Sequence, residues 1–185
     1  GESSKSKQEE KNVDRNSNAE NWSKITGCNL YSIFNFPDQR LDNVAQLDIV
    51  QKLEKVVKDI KPDIVYIHFP SDLNRDHQIA AGASLAALRP ISSHKINPEI
   101  RAFETPSSTD QAPMTEPYVF KPNFYVNIYD QWEKKALSLK AYSKELRDYP
   151  HSRSMKSIEA LAIKRGSEAG LKMAEAFYVL RKVWE

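Results

Sequence analysis

The feature that most constrains the fold is a short apolar segment, residues 64–67, placed between two helix-forming stretches. Four residues of the type Ile-Val-Tyr-Ile are typical of a strand that is buried on both faces of a parallel sheet. Before this segment, apolar residues at spacings of three and four predict an amphipathic helix over residues 47–60. After it, an alanine-rich stretch predicts a helix over residues 75–88. Alternation of helix and strand indicates an α/β fold with a mainly parallel, Rossmann-like sheet flanked by helices.

Residue type and turn signals predict the remaining elements of a single domain over residues 1–185. Further strands are predicted at residues 29–34, 99–104 and 124–128. Further helices are predicted at residues 13–26 and from Asp130 (with Glu133 as its capping-box partner) to residue 146. A last helical stretch is predicted at residues 154–183, with a break near Gly166 or Gly170 as the alternative. Residues 1–12 are polar and predict a mobile segment, and residues 105–117 predict a long loop.

Composition excludes several classes of protein. With 27 basic and 25 acidic residues the net charge is only +2, which does not favour nucleic-acid binding. No run reaches the roughly 18 apolar residues of a membrane span. Cys28 is the only cysteine, so we expect no internal disulfide and no cysteine-based zinc site. Residues 1–7 are polar and show no signal peptide, so we expect a cytoplasmic protein.

Chemistry-bearing side chains are concentrated in the loop after the segment 64–67. The loop contains His68, Asp72, Asn74, Asp76 and His77 within ten residues. The carboxyl ends of strands are where α/β proteins bind their ligands. A neutral imidazole at His77 suits zinc, and a nearby carboxylate could orient its ring.

Two structural interpretations of this loop stay open at the level of spacing. Asp72 or Asn74 could cap the following helix, and His77 could be a half-buried surface residue. Asp76 is poorly placed to orient His77, because adjacent helical residues do not face each other. One histidine is also not a catalytic zinc site, which normally has three protein ligands.

The run from Ile64 to Gln78 resembles the second signature of the LmbE/PIG-L family of zinc-dependent N-acetyl-sugar deacetylases. The resemblance implies that His77 is a zinc ligand and that Asn74 and Asp76 belong to the catalytic residues. Many members have His-Pro-Asp-His where this chain has Asn74-Arg75-Asp76-His77. An asparagine amide can donate a hydrogen bond to an oxyanion, but it cannot transfer a proton at neutral pH.

Two further segments resemble the family's substrate-binding elements. The order Arg15, Ala19, Gly27 is similar to a family helix whose arginine meets the substrate. Phe36-Pro37-Asp38 is similar to a loop whose aspartate binds sugar hydroxyls, so the resemblance implies substrate contacts for Arg15 and Asp38. The alternatives are a solvated helix residue for Arg15 and a turn former for Asp38.

The family's first signature, a strand followed by His-Pro-Asp-Asp-Glu, does not occur in these 185 residues. In the family it supplies two further zinc ligands and the general base. We therefore expect the domain to lack an N-terminal β-α-β unit, as a fragment or a natural truncation, and to be inactive by itself. The remaining Zn²⁺ ligands are expected outside this stretch of chain.

The resemblance implies a hydrolase that removes acetyl from an N-acetylated sugar or its conjugate. The alternative is a catalytically inactive family member that binds a sugar or a partner protein. A nucleotide-binding domain is a weaker alternative, because the chain has only five glycines and no G-x-G-x-x-G. Homo-oligomerisation is left open.

Overall fold

The structure is a computed structural model that describes residues 4–90 and 96–184, with side chains from residue 15 onward. His94, interpreted from the sequence as a surface residue, lies outside the described residues. The helices among them are α1 (Ser4–Thr26), α2 (Gln46–Ile60), α3 (Arg75–Ala87), α4 (Trp132–Lys140) and α5 (Met155–Glu168). The strands among them are β1 (Ile64–His68), β2 (Glu99–Phe103), β3 (Phe124–Asn127) and β4 (Ala174–Arg181).

Within the described residues the strands form one sheet in the order β1-β2-β4-β3. β1 and β2 are parallel, in a register that runs from Ile64 opposite Glu99 to His68 opposite Phe103. β2 and β4 are antiparallel, and the register shifts between Ile100 and Arg101. The α/β fold is confirmed, and its sheet is mixed.

The chain divides into two compact units. One unit comprises the chain up to Asp38 together with Val126–Glu175, and the other comprises Gln39–Tyr125 together with the chain from Ala176 onward. The sequence-based expectation of a single domain stays a prediction. Among the described residues, no helix combines the length and apolar character that crossing a lipid bilayer requires.

In the unit that begins at Gln39, the core lies between the sheet and the helix pair α2–α3. Ile67 of β1 and Ile100 and Ala102 of β2 pack with Ala81 and Leu88 from the region of α3. The small side chains of Ala81, Ala83 and Ala87 are buried along α3, which lets this helix approach its neighbours closely. This packing fixes the position of the loop between β1 and α3.

In the other unit, α1 packs against α4, and a small core forms around Ile128, Ala162 and Met173. Gly166 of α5 approaches the backbone that follows the helix. A Cβ atom at this position would lie 2.7 Å from the carbonyl oxygen of Leu171 and 2.8 Å from the Cα of Met173. Glycine is therefore required at this position by packing.

Four predicted elements agree with the structure. These are the helices predicted at residues 47–60 and 75–88, and the strands predicted at residues 64–67 and 99–104, which shift by no more than one residue at either end. The strand predicted at residues 124–128 also forms, as β3. Strong hydrophobic patterning and the prolines that flank these segments explain the agreement.

The predicted strand at residues 29–34 is wrong, since this segment has no regular secondary structure. Leu30, Tyr31 and Ile33 are strand-forming residue types, but their side chains are exposed. Strand propensity expresses packing against neighbouring strands, and without such a neighbour it does not produce a strand.

The helix predicted at residues 154–183 breaks near Gly170, as the alternative had it, but the prediction of helix after the break is wrong. α5 ends at Glu168, Gly170 adopts a φ of 70°, and the chain then enters β4. Glycine tolerates this left-handed conformation without steric cost, so it allows the turn. The Phe177-Tyr178-Val179 run is strand-forming, and that signal should have outweighed the helical periodicity.

Two helix starts differ from expectation. Residues 4–12, predicted to belong to a mobile segment, have a helical backbone and form the first part of α1. The capping box of Asp130 and Glu133 does not form: a 3₁₀ turn at Tyr129–Gln131 precedes α4, whose N-cap is Gln131. α4 also ends at Lys140, six residues before the predicted end at residue 146.

Candidate active site

The loop between β1 and α3 ends in an asparagine cap. Asn74 has the extended φ and ψ of an N-cap residue, and its side-chain oxygen accepts a hydrogen bond from the backbone N–H of Asp76 at 2.9 Å. The capping interpretation of Asn74 is therefore confirmed. Since the amide oxygen is used by the cap, the amide NH₂ is the part of this side chain that is left to donate.

His77 lies in the first turn of α3 and contacts a buried carboxylate. Its Nδ1 is 3.2 Å from Oδ1 of Asp72, whose side chain is 0% exposed. Asp72 and His77 are five residues apart, and the turn at the start of the helix brings them together. The carboxylate that contacts His77 is thus Asp72.

Asp72 is held as an anion by several donors. Its two carboxylate oxygens accept hydrogen bonds from the hydroxyls of Ser108 and Thr109, and Oδ1 also accepts the backbone N–H of Asn74 at 2.8 Å. Burial by itself raises the pKa of Asp72. The hydrogen bonds from His77, Ser108, Thr109 and Asn74 outweigh that effect and lower its pKa to about 2.

The charge of Asp72 determines the tautomer of His77. An ionised carboxylate only accepts hydrogen bonds, so Nδ1 of His77 must carry the proton. The lone pair of the neutral ring is then on Nε2, the usual arrangement of a histidine that binds a metal while a carboxylate holds its other nitrogen. The orientation of His77 is therefore compatible with a role as one zinc ligand.

A second histidine packs on the first. The ring of His68, the last residue of β1, lies parallel to the ring of His77 with centroids 4.0 Å apart and planes 9° apart. Among the described residues, Nδ1 of His68 is buried without a hydrogen-bond partner. Burial, together with the charge of a protonated His77, lowers the pKa of His68 to about 4, so this ring is neutral near pH 7.

Asp76 points to another segment. Its Oδ1 accepts a hydrogen bond from the backbone N–H of Leu41 at 3.1 Å and so fixes the 3₁₀ turn at Leu41–Asn43. This contact is structural. The catalytic role expected for Asp76, like that expected for Asn74, stays a prediction.

Arg15 and Asp38 contact each other within their own unit. The guanidinium and the carboxylate form two parallel contacts, of 2.9 Å and 3.0 Å. This pairing with Asp38 raises the pKa of Arg15 above its ordinary value. A sugar that uses both residues would have to share this two-pronged ion pair, and their substrate-binding role stays a prediction.

Within the described part of the chain, no group of three or more His, Cys, Asp or Glu side chains forms a metal site. Of the three zinc ligands expected from the resemblance, His77 is the one that lies in this chain, and Asp72 orients its ring. The sequence placed Asp72 among the chemistry-bearing residues of the loop without assigning it to His77, and it did not indicate Ser108 or Thr109. The spacing of Asp72 and His77 across a helix start was a usable signal. Ser108 and Thr109, 36 and 37 residues away from Asp72, gave none.

Comparison with known proteins agrees with the sequence resemblance. Residues 1–88 match the family described as PIG-L: GlcNAc-PI de-N-acetylase. The uncharacterized deacetylase YaiS of Escherichia coli (strain K12) is 33% identical over 101 residues, which are 52% of this chain and 51% of YaiS. The chain thus spans about half the length of the curated relative that it matches.

Solved structures share the fold at low identity. The conserved protein TT1542 from Thermus thermophilus has a TM-score of 0.70 at 20% identity, covering 94% of this chain and 76% of TT1542. The N,N'-diacetylchitobiose deacetylase from Pyrococcus horikoshii has a TM-score of 0.69 at 17% identity, covering 91% of this chain and 63% of the deacetylase.

A third structure shows that the fold does not decide the reaction. GalB, the 4-carboxy-2-hydroxymuconate hydratase from Pseudomonas putida KT2440, has a TM-score of 0.69 at 20% identity, covering 94% of this chain and 74% of GalB. The reaction must instead be argued from the match over residues 1–88 and from the site. The predicted resemblance is confirmed: residues 1–88 match the PIG-L family, a deacetylase relative is similar over about half of its length, and a solved deacetylase shares the fold.

Proposed function

We propose that this chain forms part of a zinc-dependent hydrolase that removes the acetyl group from an N-acetyl amino sugar or its conjugate. The observation that carries the proposal is the contact of 3.2 Å between Nδ1 of His77 and Oδ1 of Asp72, in a segment that lies inside the family match. A buried carboxylate behind a histidine at the carboxyl end of a strand is a typical support for a metal ligand.

His77 would hold the zinc through Nε2, with further ligands and the general base expected outside these 185 residues. When bound, zinc would supply a Lewis acid that polarises the acetamide carbonyl. Asp72 keeps the ring of His77 oriented through Nδ1. Asn74, whose amide oxygen is occupied by the cap, would donate from its NH₂ group to the oxygen that gains negative charge.

Arg15 and Asp38 would bind the sugar. A two-pronged ion pair offers donors on one side and acceptors on the other, which suits neighbouring hydroxyl groups. Asp76 is assigned to the catalytic residues on the resemblance, although its observed contact is with Leu41. A cytoplasmic location and homo-oligomerisation remain open predictions.

Acetate release from N-acetylglucosamine, diacetylchitobiose and a lipid-linked N-acetylglucosamine tests the proposal. The full-length protein would be assayed after metal removal and again after addition of one equivalent of zinc. We expect release only with zinc, and loss of release in His77→Asn. The matched control is His151→Asn, in which the new amide oxygen can replace the acceptor Nδ1 of His151.

Equal acetate release with and without zinc, or equal release by His77→Asn and the control, would refute the proposal. The alternative, a binding protein without turnover, predicts sugar binding by calorimetry together with no stoichiometric zinc and no acetate. A second comparison tests whether the 185 residues are inactive by themselves. Equal zinc-dependent activity of this chain and of an upstream-extended version would contradict that expectation.

A further inference from the structure

Two hydroxyl groups from the turn after β2 reach the carboxylate behind His77. We propose that Ser108 and Thr109 are positioning residues that, through Asp72, fix which nitrogen of His77 is free to bind a metal. The inference concerns the ring of His77 and rests on the proposed function only for the identity of the bound metal. Neither residue belongs to the motif that contains His77.

Each of the two hydroxyls donates a hydrogen bond to a different oxygen of the Asp72 carboxylate. The Ser108 hydroxyl donates to Oδ1 of Asp72, and the Thr109 hydroxyl donates to Oδ2 at 2.6 Å. Because each oxygen has its own buried donor, rotation of the carboxylate would break both bonds at once. Oδ1 is therefore kept towards Nδ1 of His77.

The direction of both hydrogen bonds is fixed by the acceptor roles of the same hydroxyls. Thr109 Oγ1 accepts the backbone N–H of Thr105 at 2.7 Å, and Ser108 Oγ accepts the backbone N–H of Asn74 at 3.3 Å. A hydroxyl has one hydrogen, so each of these groups gives its hydrogen to Asp72. Asp72 then receives hydrogens on both oxygens and has none to give, which leaves the proton on Nδ1 of His77.

The backbone of the turn supports a positioning role. Ser107, directly before the two residues, has a φ of 67°, a left-handed conformation that is unfavourable for serine. Such conformations persist only where surrounding contacts hold them, and they occur preferentially at functional sites. Ser108 and Thr109 are 6% and 7% exposed, so their hydrogen bonds are shielded from competing water.

NMR of ¹⁵N-labelled histidine distinguishes positioning from mere stabilisation. In the metal-free full-length protein we expect the neutral form of His77 to have its proton on Nδ1 rather than on Nε2. Ser108→Ala and Thr109→Val should each produce a second population with the proton on Nε2. Thr109→Ser retains the hydroxyl and should keep the wild-type pattern, and Asp110→Asn, an exposed change in the same turn, should do so too.

Zinc competition gives a second readout. We expect Ser108→Ala to weaken zinc binding about 10-fold, at the low end of the effect of altering groups behind a metal ligand. Folded Ser108→Ala and Thr109→Val proteins with the wild-type tautomer would overturn the inference, as would a changed tautomer in Thr109→Ser. If Thr109→Val fails to fold, Ser108→Ala decides, because Thr109→Val also removes the acceptor for the Thr105 N–H whereas Ser108→Ala leaves it in place.

The tautomer result does not depend on the identity of the metal. If His77→Asn leaves zinc binding unchanged, the proposed function fails while the hydrogen-bond assignment stands. If the tautomer does not respond to the hydroxyl variants but His77→Asn abolishes zinc binding, the role inferred for Ser108 and Thr109 fails while the proposed function stands. The two failures are thus distinguishable.

Discussion

Nδ1 of His77 and Oδ1 of Asp72 lie 3.2 Å apart, with the carboxylate fully buried and the imidazole partly exposed. One partner is thus a fixed anion, and the second nitrogen of the other is the atom proposed to bind the metal. The chemistry proposed for the chain follows from this asymmetry.

Asp72→Asn should weaken both the fold and the metal site. The variant removes an anion that four donors surround, so we expect a loss of about 2 kcal/mol in the free energy of unfolding, measured by urea denaturation. Zinc affinity of the full-length protein should fall roughly 10- to 100-fold. Asp110→Asn, an exposed change of the same kind, should leave both unchanged. Unaltered zinc affinity in Asp72→Asn would contradict the role assigned to the carboxylate.

Glu99 should make stability depend on pH in the acid range. Its carboxylate contacts Arg101 at 2.6 Å and Lys182 at 3.1 Å, and the hydrogen bond from Arg101 is the main reason that its pKa is lowered. The ionised form is therefore favoured by folding. Its contribution is present above the unfolded glutamate pKa of about 4.3 and is lost as pH falls below that value through the lower folded pKa.

The matched comparison for Glu99 is the Glu99→Gln variant. Urea unfolding of both proteins would be measured between about pH 3 and pH 7, in steps of about half a pH unit. The wild-type protein should be more stable at pH 7, and the difference should shrink towards pH 3. Arg101 is buried between Tyr66 and the ring of Phe124. Because Glu99→Gln leaves this buried cation without its carboxylate partner, the variant should be less stable than wild type at neutral pH. Parallel pH profiles would show that Glu99 is not stabilised as an anion.

Gly166→Ala should destabilise the protein although alanine is the better helix former. The added Cβ would lie under 3 Å from backbone atoms of residues 171–173, and a backbone clash cannot be relieved by a rotamer change. We expect a loss of about 2–3 kcal/mol in the free energy of unfolding, against a gain of about 1 kcal/mol from helix propensity alone. A thermal melt of Gly166→Ala that is equal to or above wild type would contradict the close approach.

Lys61→Gly should have the opposite effect. Lys61 ends α2 in a left-handed conformation with a φ of 51°, where its N–H bonds to the carbonyl of Val57. Glycine adopts this conformation without steric cost and is the usual residue at such helix ends. We expect a gain of about 0.5–1 kcal/mol in stability, measured by urea denaturation. Lys58→Gly, inside the same helix, should instead lose about 1 kcal/mol.

Local pattern predicted the parts of the fold in which periodicity and packing agree. Residues 47–88 have strong helical spacing around a short apolar strand, and all three elements form there. The segment 29–34 has strand-forming residues but remains without a partner strand in the described chain, which no local signal could reveal. β4 was missed because alanines and charged residues near Ala174 resemble a continuing helix.

The residues of the candidate site also differ in how far the sequence could predict them. His77 was predicted because the family motif and the strand end lie within ten residues of sequence. A nearby carboxylate was expected to orient the His77 ring, but the sequence did not single out Asp72 for this role and left it as an alternative cap, whereas the cap is Asn74. Ser108 and Thr109 are joined to Asp72 by folding alone, so they could not be predicted without the structure.

The zinc stoichiometry of the full-length protein tests the central claim most directly. Wild type and His151→Asn should each bind one zinc per chain after metal removal, reconstitution and desalting, measured by elemental analysis. His77→Asn should retain well under half an equivalent under the same conditions, because one of three expected ligands is gone. Equal zinc in His77→Asn and His151→Asn, in folded proteins, would contradict the account that His77 is a metal ligand oriented by Asp72.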